Sequence, residues 1–149
     1  YAEQERKATA VGNPFKDFDS KTVDGKDIRF SELVEKGKVT LLDFWASWCI
    51  PCIQESKELK ELYKTYHEKG FNIVSVSLDT DKQKWLHAIQ KHDLPWIHIS
   101  TLKGFKDPGA IEYAVQAIPY VILIDRDGNI INQNQHGYIL HNAIKEQFK

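Results

Sequence analysis

The chain of 149 residues has only two cysteines, and it has neither methionine nor a long apolar run. Its apolar runs are short, and the one before the cysteines is broken by Asp43, so no segment is long enough to span a bilayer. Twenty basic and 21 acidic residues give a formal net charge of −1, and no block of like charge stands out. Nucleic acids and anionic membranes are therefore poor candidates as partners.

The amino terminus lacks the pattern of a secretory signal peptide, since residues 1–7 are polar and the chain begins with Tyr1 rather than Met. The chain looks trimmed, and a cleaved signal, a lipid anchor or another domain could precede it. We expect residues 1–12 to be a flexible segment and residues 13–149 to form one domain. A chain of this length buries roughly two-thirds of its unfolded surface.

The apolar pattern predicts alternating strands and helices. Continuous apolar runs predict strands over 39–45, 71–78, 96–100 and 119–124. Helices are predicted over 32–36, from 50 or 51 to 70, and over 81–92, 107–115 and 140–148. Asp24-Gly25 and Asp127-Gly128 predict hairpin turns. This order of elements indicates an α/β sandwich around a mixed sheet.

Both cysteines lie in one motif, Cys49-Ile50-Pro51-Cys52, between a predicted strand and a predicted helix. Residues three apart on a helix share a face, so the two sulfurs can form or break a disulfide with little backbone movement. Proline is favoured in the first turn of a helix, where its missing N–H costs nothing. A Cys-x-x-Cys in this setting is typical of a redox dithiol.

Other roles for the two cysteines have less support. A zinc site needs two further ligands, and no second cysteine pair or His-x-His is present nearby. Haem attachment needs histidine after the second cysteine, where this chain has Ile53. A purely structural disulfide remains an alternative, although such bonds rarely lie at a helix start behind an apolar pair such as Trp48-Cys49.

The position of each cysteine predicts its role. Cys49 directly precedes the helix, where free N–H groups favour an anion, so we expect a solvent-exposed thiolate that attacks disulfides. Cys52 lies one turn further in, and we expect it to be buried and to resolve the mixed disulfide formed at Cys49. It needs a base, and the candidates are Asp43 on the preceding strand and Glu55 one turn later. A carboxyl group in such a place should have a raised pKa.

The neighbouring side chains predict how substrates dock and which way electrons flow. Trp45 is expected in the core, and Trp48 on an exposed apolar docking surface. Ile50-Pro51 contains no histidine that would stabilise the thiolate strongly, so we predict a reductant rather than a strong oxidant. The six histidines, His136 among them, are scattered and are assigned no part in the site. Asp43 as an ordinary core polar group, and Glu55 as a solvated residue paired with lysine, remain alternatives.

Three features together resemble the thioredoxin-fold oxidoreductases, and most closely their extracytoplasmic TlpA/ResA-like branch. They are the stretch Asp43–Cys52, Glu55 just beyond it, and Ile118-Pro119 opening a strand that leads to Asp125–Gly128. The resemblance covers about residues 13–149. It implies a thioredoxin-like three-layer α/β/α sandwich with a mixed central sheet and an amino-terminal β-hairpin extension. Members of that branch often carry a neutral residue at the position of Asp43, whereas an acid there is usual in thioredoxins.

The resemblance also implies a substrate groove. The Ile118-Pro119 peptide bond would be cis, with Pro119 facing the sulfurs and the Ile118 backbone available to an extended chain. The expected substrate-binding residues are Trp48, Ile50, Pro51, Ile118 and Pro119.

Residues and resemblance together predict a thiol–disulfide oxidoreductase that reduces protein disulfides outside the cytoplasm. The Cys49–Cys52 pair is itself the redox group, and we expect no metal and no other cofactor. In this branch the partners are substrate proteins such as apocytochromes and a membrane-linked electron donor. We expect a monomer in the periplasm or an equivalent compartment, membrane-anchored if an anchor precedes Tyr1. The alternatives are a thiol peroxidase of the same fold and a non-catalytic thioredoxin-fold binding module.

Overall fold

The computed structural model describes residues 2–149. Its α-helices are α1 (Ala2–Ala8), α2 (Ile50–Tyr66), α3 (Lys82–Lys91), α4 (Pro108–Glu112) and α5 (Gly137–Glu146). Its strands are β1 (Asp19–Lys21), β2 (Asp27–Arg29), β3 (Val39–Trp45), β4 (Phe71–Ser77), β5 (Ile97–Ile99), β6 (Tyr120–Ile124) and β7 (Ile130–Gln133). Short 3-10 turns follow β2 and α2 and precede α4.

Five strands form a mixed central sheet in the order β5-β4-β3-β6-β7. Strands β3, β4 and β5 are parallel, whereas β6 and β7 run antiparallel to their neighbours. Strands β3 and β4 are buried along their whole length, as expected for strands covered on both faces. Strands β1 and β2 form a separate antiparallel hairpin. The predicted three-layer sandwich with an amino-terminal hairpin is confirmed.

Alternating side chains of β3 contribute to two cores, one on each face of the sheet. Leu41 and Trp45 pack in a cluster with both cysteines and with residues of α2, α3 and α5. Leu42 and Phe44 pack in a second cluster with residues of the hairpin region and α4. Asp43 has the same parity as Leu41 and Trp45. The strand therefore directs this carboxyl group toward the layer that contains the dithiol.

The amino-terminal segment contains a helix that the sequence analysis did not predict. Residues 2–8 form α1, the Arg6 guanidinium donates a hydrogen bond of 2.7 Å to the Ala114 carbonyl, and the Thr9 side chain is fully buried. These long-range contacts tie the described part of the segment to the rest of the chain, and residue 1 lies outside the described residues. The flexibility expected of residues 1–12 stays a prediction. The domain boundary at residue 13 stays a prediction.

Several short elements also differ in extent. The predicted helix over 32–36 is replaced by a 3-10 turn, Phe30–Glu32, in which the Glu32 carboxylate accepts a hydrogen bond from the Arg29 N–H. The helix predicted over 107–115 is shortened to α4, and α5 begins at Gly137 instead of residue 140. Within residues 2–149, no helix combines the length and apolar character needed to cross a membrane.

Candidate redox site

The dithiol motif lies where β3 passes into α2. Cys49 is the N-cap residue of α2, and its Sγ accepts a hydrogen bond of 3.3 Å from the backbone N–H of Cys52. The first N–H groups of a helix have no carbonyl partner within it, so a sulfur at the N-cap satisfies one of them. Pro51 lies in the first turn, as its missing N–H favours. The predicted placement of Cys49 at a helix start is confirmed.

Cys49 and Cys52 form a disulfide with a Cα–Cα distance of 5.3 Å. Each residue is only 5 % exposed. The expectation that Cys49 is solvent-exposed is therefore wrong for the oxidised protein, in which Cys49 packs with Cys52 in the first core cluster. The predicted burial of Cys52 is confirmed.

Exposed apolar side chains surround the disulfide in sequence. Trp48 is 60 % exposed and Ile50 is 71 % exposed, whereas Trp45 is buried, as predicted for each tryptophan. Pro51 is exposed as well. A partner that approaches the disulfide therefore meets these side chains before it meets sulfur.

Asp43 is buried in the central strand of the sheet, on the face that carries the dithiol layer. It lies opposite Ser75 of β4, and the Ser75 hydroxyl donates a hydrogen bond of 2.8 Å to its Oδ2. The Trp96 indole N–H in turn donates to the Ser75 hydroxyl at 2.8 Å. Burial raises the pKa of Asp43 to about 7, and the nearby Glu55 carboxylate adds to the rise, whereas Ser75 and His136 oppose it. The predicted raised pKa is confirmed for this carboxyl group.

Glu55 lies on α2, one turn beyond Cys52, and its side chain is only 10 % exposed. Its Oε2 accepts a hydrogen bond of 2.5 Å from Nδ1 of His136. Its Oε1 is buried and has no hydrogen-bond partner among residues 2–149. The partner of Glu55 is therefore a histidine, and the alternative of a solvated residue paired with lysine is wrong.

His136 is the residue of this site that the sequence analysis missed. It lies between β7 and α5, and its Nε2 is 2.6 Å from Oδ1 of Asn134. Its pKa is raised, chiefly by the hydrogen bond to Glu55 and also by the charges of Glu55 and Asp43, although burial opposes the rise. One signal could have found it: β7 runs antiparallel to β6, so the segment after β7 returns to the sheet edge where β3 ends.

The Ile118-Pro119 peptide bond is cis, as the resemblance implies. Strand β6 pairs antiparallel with β3, and Tyr120 at its start lies opposite Phe44. Ile118 and Pro119, which directly precede Tyr120, therefore lie at the end of β3 that leads into the dithiol. Ile118 packs against the cluster that contains both cysteines. The structure thus places Ile118 against the core layer that contains Cys49 and Cys52.

The redox group at this site is the disulfide itself. Within the described residues, no set of three or more His, Cys, Asp or Glu side chains is arranged to hold a metal ion. The cysteine pair takes up two electrons as a disulfide and releases two electrons as a dithiol, and thiol–disulfide exchange needs no further group for this.

Comparison with known proteins agrees with this geometry. The family model described as Thioredoxin-like matches residues 37–130. The thiol-disulfide oxidoreductase ResA of Bacillus cereus is 32 % identical over 139 residues, which cover 93 % of this chain and 75 % of that protein. This chain belongs to the thioredoxin-like family. Its fold and its dithiol identify it as a thiol–disulfide oxidoreductase, as predicted.

Solved structures of thioredoxin-like proteins support the same assignment. A thiol-disulfide oxidoreductase from Bacteroides fragilis superposes with a TM-score of 0.81 at 32 % identity, over 90 % of this chain and 98 % of that one. The thioredoxin domain of a thiol-disulfide oxidoreductase from Bacteroides vulgatus gives 0.81 at 27 % identity, over 92 % and 96 % of the two chains. Thiol–disulfide oxidoreductases act on disulfide-bearing substrates, so the substrate class of this chain follows from its family.

Proposed function

We propose that this thiol–disulfide oxidoreductase reduces disulfides of proteins outside the cytoplasm. The observation that carries the proposal is the disulfide at the start of α2, which lies in one core layer with a buried carboxyl group, Asp43, whose pKa is about 7. A group that titrates near neutral pH can both take a proton from a thiol and return it.

Two exchange steps transfer the electrons. The Cys49 thiolate attacks one sulfur of a substrate disulfide, the substrate S–S bond breaks, and one substrate thiolate leaves. Cys52 then gives its proton to a neighbouring carboxylate and attacks Sγ of Cys49. The mixed disulfide breaks, a second substrate thiolate leaves, and the Cys49–Cys52 bond forms. The substrate gains two electrons, which the dithiol loses.

Asp43 and Glu55 are the candidates for the group that takes the proton from Cys52. Both side chains are buried in the layer that contains α2. A thiol in apolar surroundings holds its proton firmly, so a base nearby speeds the resolving step.

Residues 118–119 and the exposed side chains beside Cys49 provide the proposed substrate groove. Trp48, Ile50 and Pro51 form its apolar rim, and Ile118 and Pro119 form its other side. An extended peptide laid along the backbone at Ile118 would bind through main-chain hydrogen bonds, which require no particular sequence. Such binding suits an enzyme that acts on many disulfides.

The likeness to ResA supports a cellular setting. We propose an extracytoplasmic location, attachment to a membrane through a segment outside residues 1–149, and a monomeric thioredoxin-like unit over residues 13–149. The proposed partners are a membrane-linked electron donor and substrate proteins, with apocytochromes that await haem as candidates. No cofactor beyond the dithiol is required by this chemistry.

Insulin reduction with dithiothreitol as electron donor tests the activity. The wild-type protein should accelerate the reduction, and Cys49→Ser should abolish the acceleration. The Cys52→Ser variant should retain substrates as mixed disulfides at Cys49, which mass spectrometry would identify. Equal capture by Cys52 in the Cys49→Ser variant would contradict the assigned roles, and peroxide consumption in place of insulin reduction would indicate a thiol peroxidase.

A further inference from the structure

His136 has an oxygen acceptor at each ring nitrogen. Nδ1 faces Oε2 of Glu55 at 2.5 Å, and Nε2 faces Oδ1 of Asn134 at 2.6 Å. An ionised carboxylate can only accept hydrogen bonds, so Nδ1 must carry a proton. The charge of the ring then depends on whether Asn134 presents an oxygen or an amide nitrogen to Nε2.

The backbone decides how the Asn134 amide is oriented. Its Oδ1 also accepts a hydrogen bond of 3.4 Å from the Val121 N–H, and the Asn134 N–H donates to the Val121 carbonyl at 2.7 Å. If the Asn134 amide were turned over, its NH2 group would face the Val121 N–H, and two hydrogen-bond donors would then point at each other. The oxygen therefore also faces His136, so both ring nitrogens have an oxygen acceptor, and this arrangement favours the imidazolium form and agrees with the raised pKa of His136.

The imidazolium and the Glu55 carboxylate form a fixed ion pair next to Asp43. The Glu55 side chain is 10 % exposed and that of His136 is 31 % exposed, so solvent screens this pair less than a surface pair. The charged and titratable groups that face Asp43 are Glu55 from α2 and His136 from the loop after β7, with Cys52 in the same layer. From β4 it meets only the neutral hydroxyl of Ser75.

We propose that His136 is a positioning residue for the resolving step. His136 is oriented by its hydrogen bond to Asn134 and holds Glu55 in an ion pair. Because Glu55 is engaged in this pair, Asp43 is the carboxyl group that exchanges the proton with Cys52. The inference rests on the proposed dithiol function and extends it, because it assigns separate tasks to the two carboxyl groups. The cation also eases the ionisation of Asp43, since it opposes the effect of burial and of Glu55 on the pKa of that group.

The resolving step can be isolated with 5,5′-dithiobis(2-nitrobenzoate) as the disulfide. The reduced protein releases one coloured thiolate when Cys49 attacks the reagent and a second when Cys52 displaces the mixed disulfide. At high reagent concentration the second phase is intramolecular and independent of that concentration. Its rate, measured by stopped flow from pH 5 to pH 9, reports the proton transfer from Cys52.

Wild-type protein should give a second-phase rate that rises through about pH 7, where Asp43 ionises. His136→Gln keeps a hydrogen-bond donor to Glu55 but removes the cation, so the profile should move to higher pH. At pH 6 the second-phase rate of His136→Gln should be about 3- to 10-fold lower than that of the wild type. Near pH 9 the two rates should be almost equal. His136→Lys restores a cation and should return the profile toward that of the wild type.

Helices α2 and α5 contain a second histidine–glutamate pair that serves as a control. His141 of α5 lies 3.2 Å from Glu58 of α2, with Nε2 facing Oε2, three residues beyond Glu55. His141→Gln makes the same substitution in a histidine–glutamate pair that is longer, has a more exposed glutamate and lies one turn further from the disulfide, so its profile should match the wild type. Titration of the Asp43 carboxyl carbon by NMR in the same variants gives a second readout that a merely structural effect would not move.

The outcomes separate the inference from the function on which it rests. If the wild type fails to reduce insulin, the proposed function is wrong. If the wild type is active but His136→Gln and His136→Lys share its profile, the role of His136 is wrong. An equal shift in His141→Gln would likewise overturn it, because the effect would then not be specific to His136.

Discussion

Asp43 lies directly opposite Ser75 in the β3–β4 pair, and its carboxyl group accepts the hydroxyl hydrogen bond at 2.8 Å. Burial and the Glu55 charge raise the pKa of this carboxyl group, whereas the hydrogen bond from Ser75 and the His136 charge lower it. The resulting pKa is about 7. The protein thus keeps an acid in its core that is half protonated at neutral pH. This arrangement has consequences for both stability and rate.

The first prediction concerns stability against pH. The pKa of Asp43 is about 7 in the folded chain and 3.8 as a reference for the unfolded chain, so the folded state binds the proton more tightly between these values. The free energy of unfolding should therefore fall as pH rises from about 4 to 7, by at most about 4 kcal/mol. Asp43→Asn keeps an acceptor for Ser75 and should remove this loss.

Denaturant unfolding of the oxidised protein at pH 5 and pH 8 measures the effect. Wild type should lose stability between the two values, and Asp43→Asn should change much less and be the more stable protein at pH 8. A variant that is less stable than the wild type at pH 8 would show that the buried carboxylate is not costly. The same variant should slow the resolving step, since the proton acceptor is lost.

The second prediction concerns Glu55. Its charge raises the pKa of Asp43, so Glu55→Gln should shift the pH profile of the resolving step to lower pH, opposite to the shift expected for His136→Gln. The two-phase thiolate release described above measures it. Glu58→Gln, which removes the partner of His141, is the control and should leave the profile in place. A shift to higher pH in Glu55→Gln would instead point to Glu55 as the proton acceptor.

The third prediction concerns docking. Trp48 is 60 % exposed next to Cys49, so Trp48→Ala should raise the KM for insulin, by about 10-fold if the side chain is a binding hot spot. The first-phase rate with the small nitrobenzoate disulfide should change little, because that reagent needs no groove. Phe105→Ala removes another exposed aromatic side chain, on the 3-10 turn before α4. It should leave both the KM for insulin and the first-phase rate unchanged. Equal losses for insulin and the small reagent would show that Trp48 acts on the sulfur instead of on docking.

The fourth prediction concerns the redox potential. With Ile50 and Pro51 between the cysteines, no cation stabilises the thiolate there, so the potential should lie nearer to about −270 mV than to about −120 mV. Ile50 is 71 % exposed, so Ile50→His can be made without disturbing the core, and it should raise the potential by about 30–60 mV. Equilibration with glutathione buffers measures both values. A wild-type potential near −120 mV would contradict the assignment as a reductant.

Much of this site could be predicted from the sequence because its signals are local. The Cys-x-x-Cys spacing placed both cysteines on one helix start, and the apolar runs located β3 and β4 within a residue of their bounds. The strand before the dithiol also offered Asp43 as a candidate base. Each of these inferences depends on residues within one turn or one strand.

The remainder depends on contacts between distant segments. His136 and Glu55 are 81 residues apart, and Trp96 and Ser75 are 21 apart, so no local pattern joins them. Helix α1 was missed because its seven polar-rich residues bury no side chain, and only Arg6 reaches a distant carbonyl. The burial of Cys49 was missed because it depends on packing in a core cluster built from distant segments, α3 and α5 among them.

The hydrogen bonds between Asn134 and Val121 connect His136 to the strand that begins at the proposed substrate groove. Val121 belongs to β6, two residues after Pro119, and its N–H and carbonyl together hold Asn134 and, through it, the imidazole. In the proposed groove, a substrate chain bound at the start of β6 would contact the strand whose backbone holds Asn134 and, through it, His136. The proposed groove and the proposed positioning residue therefore share strand β6.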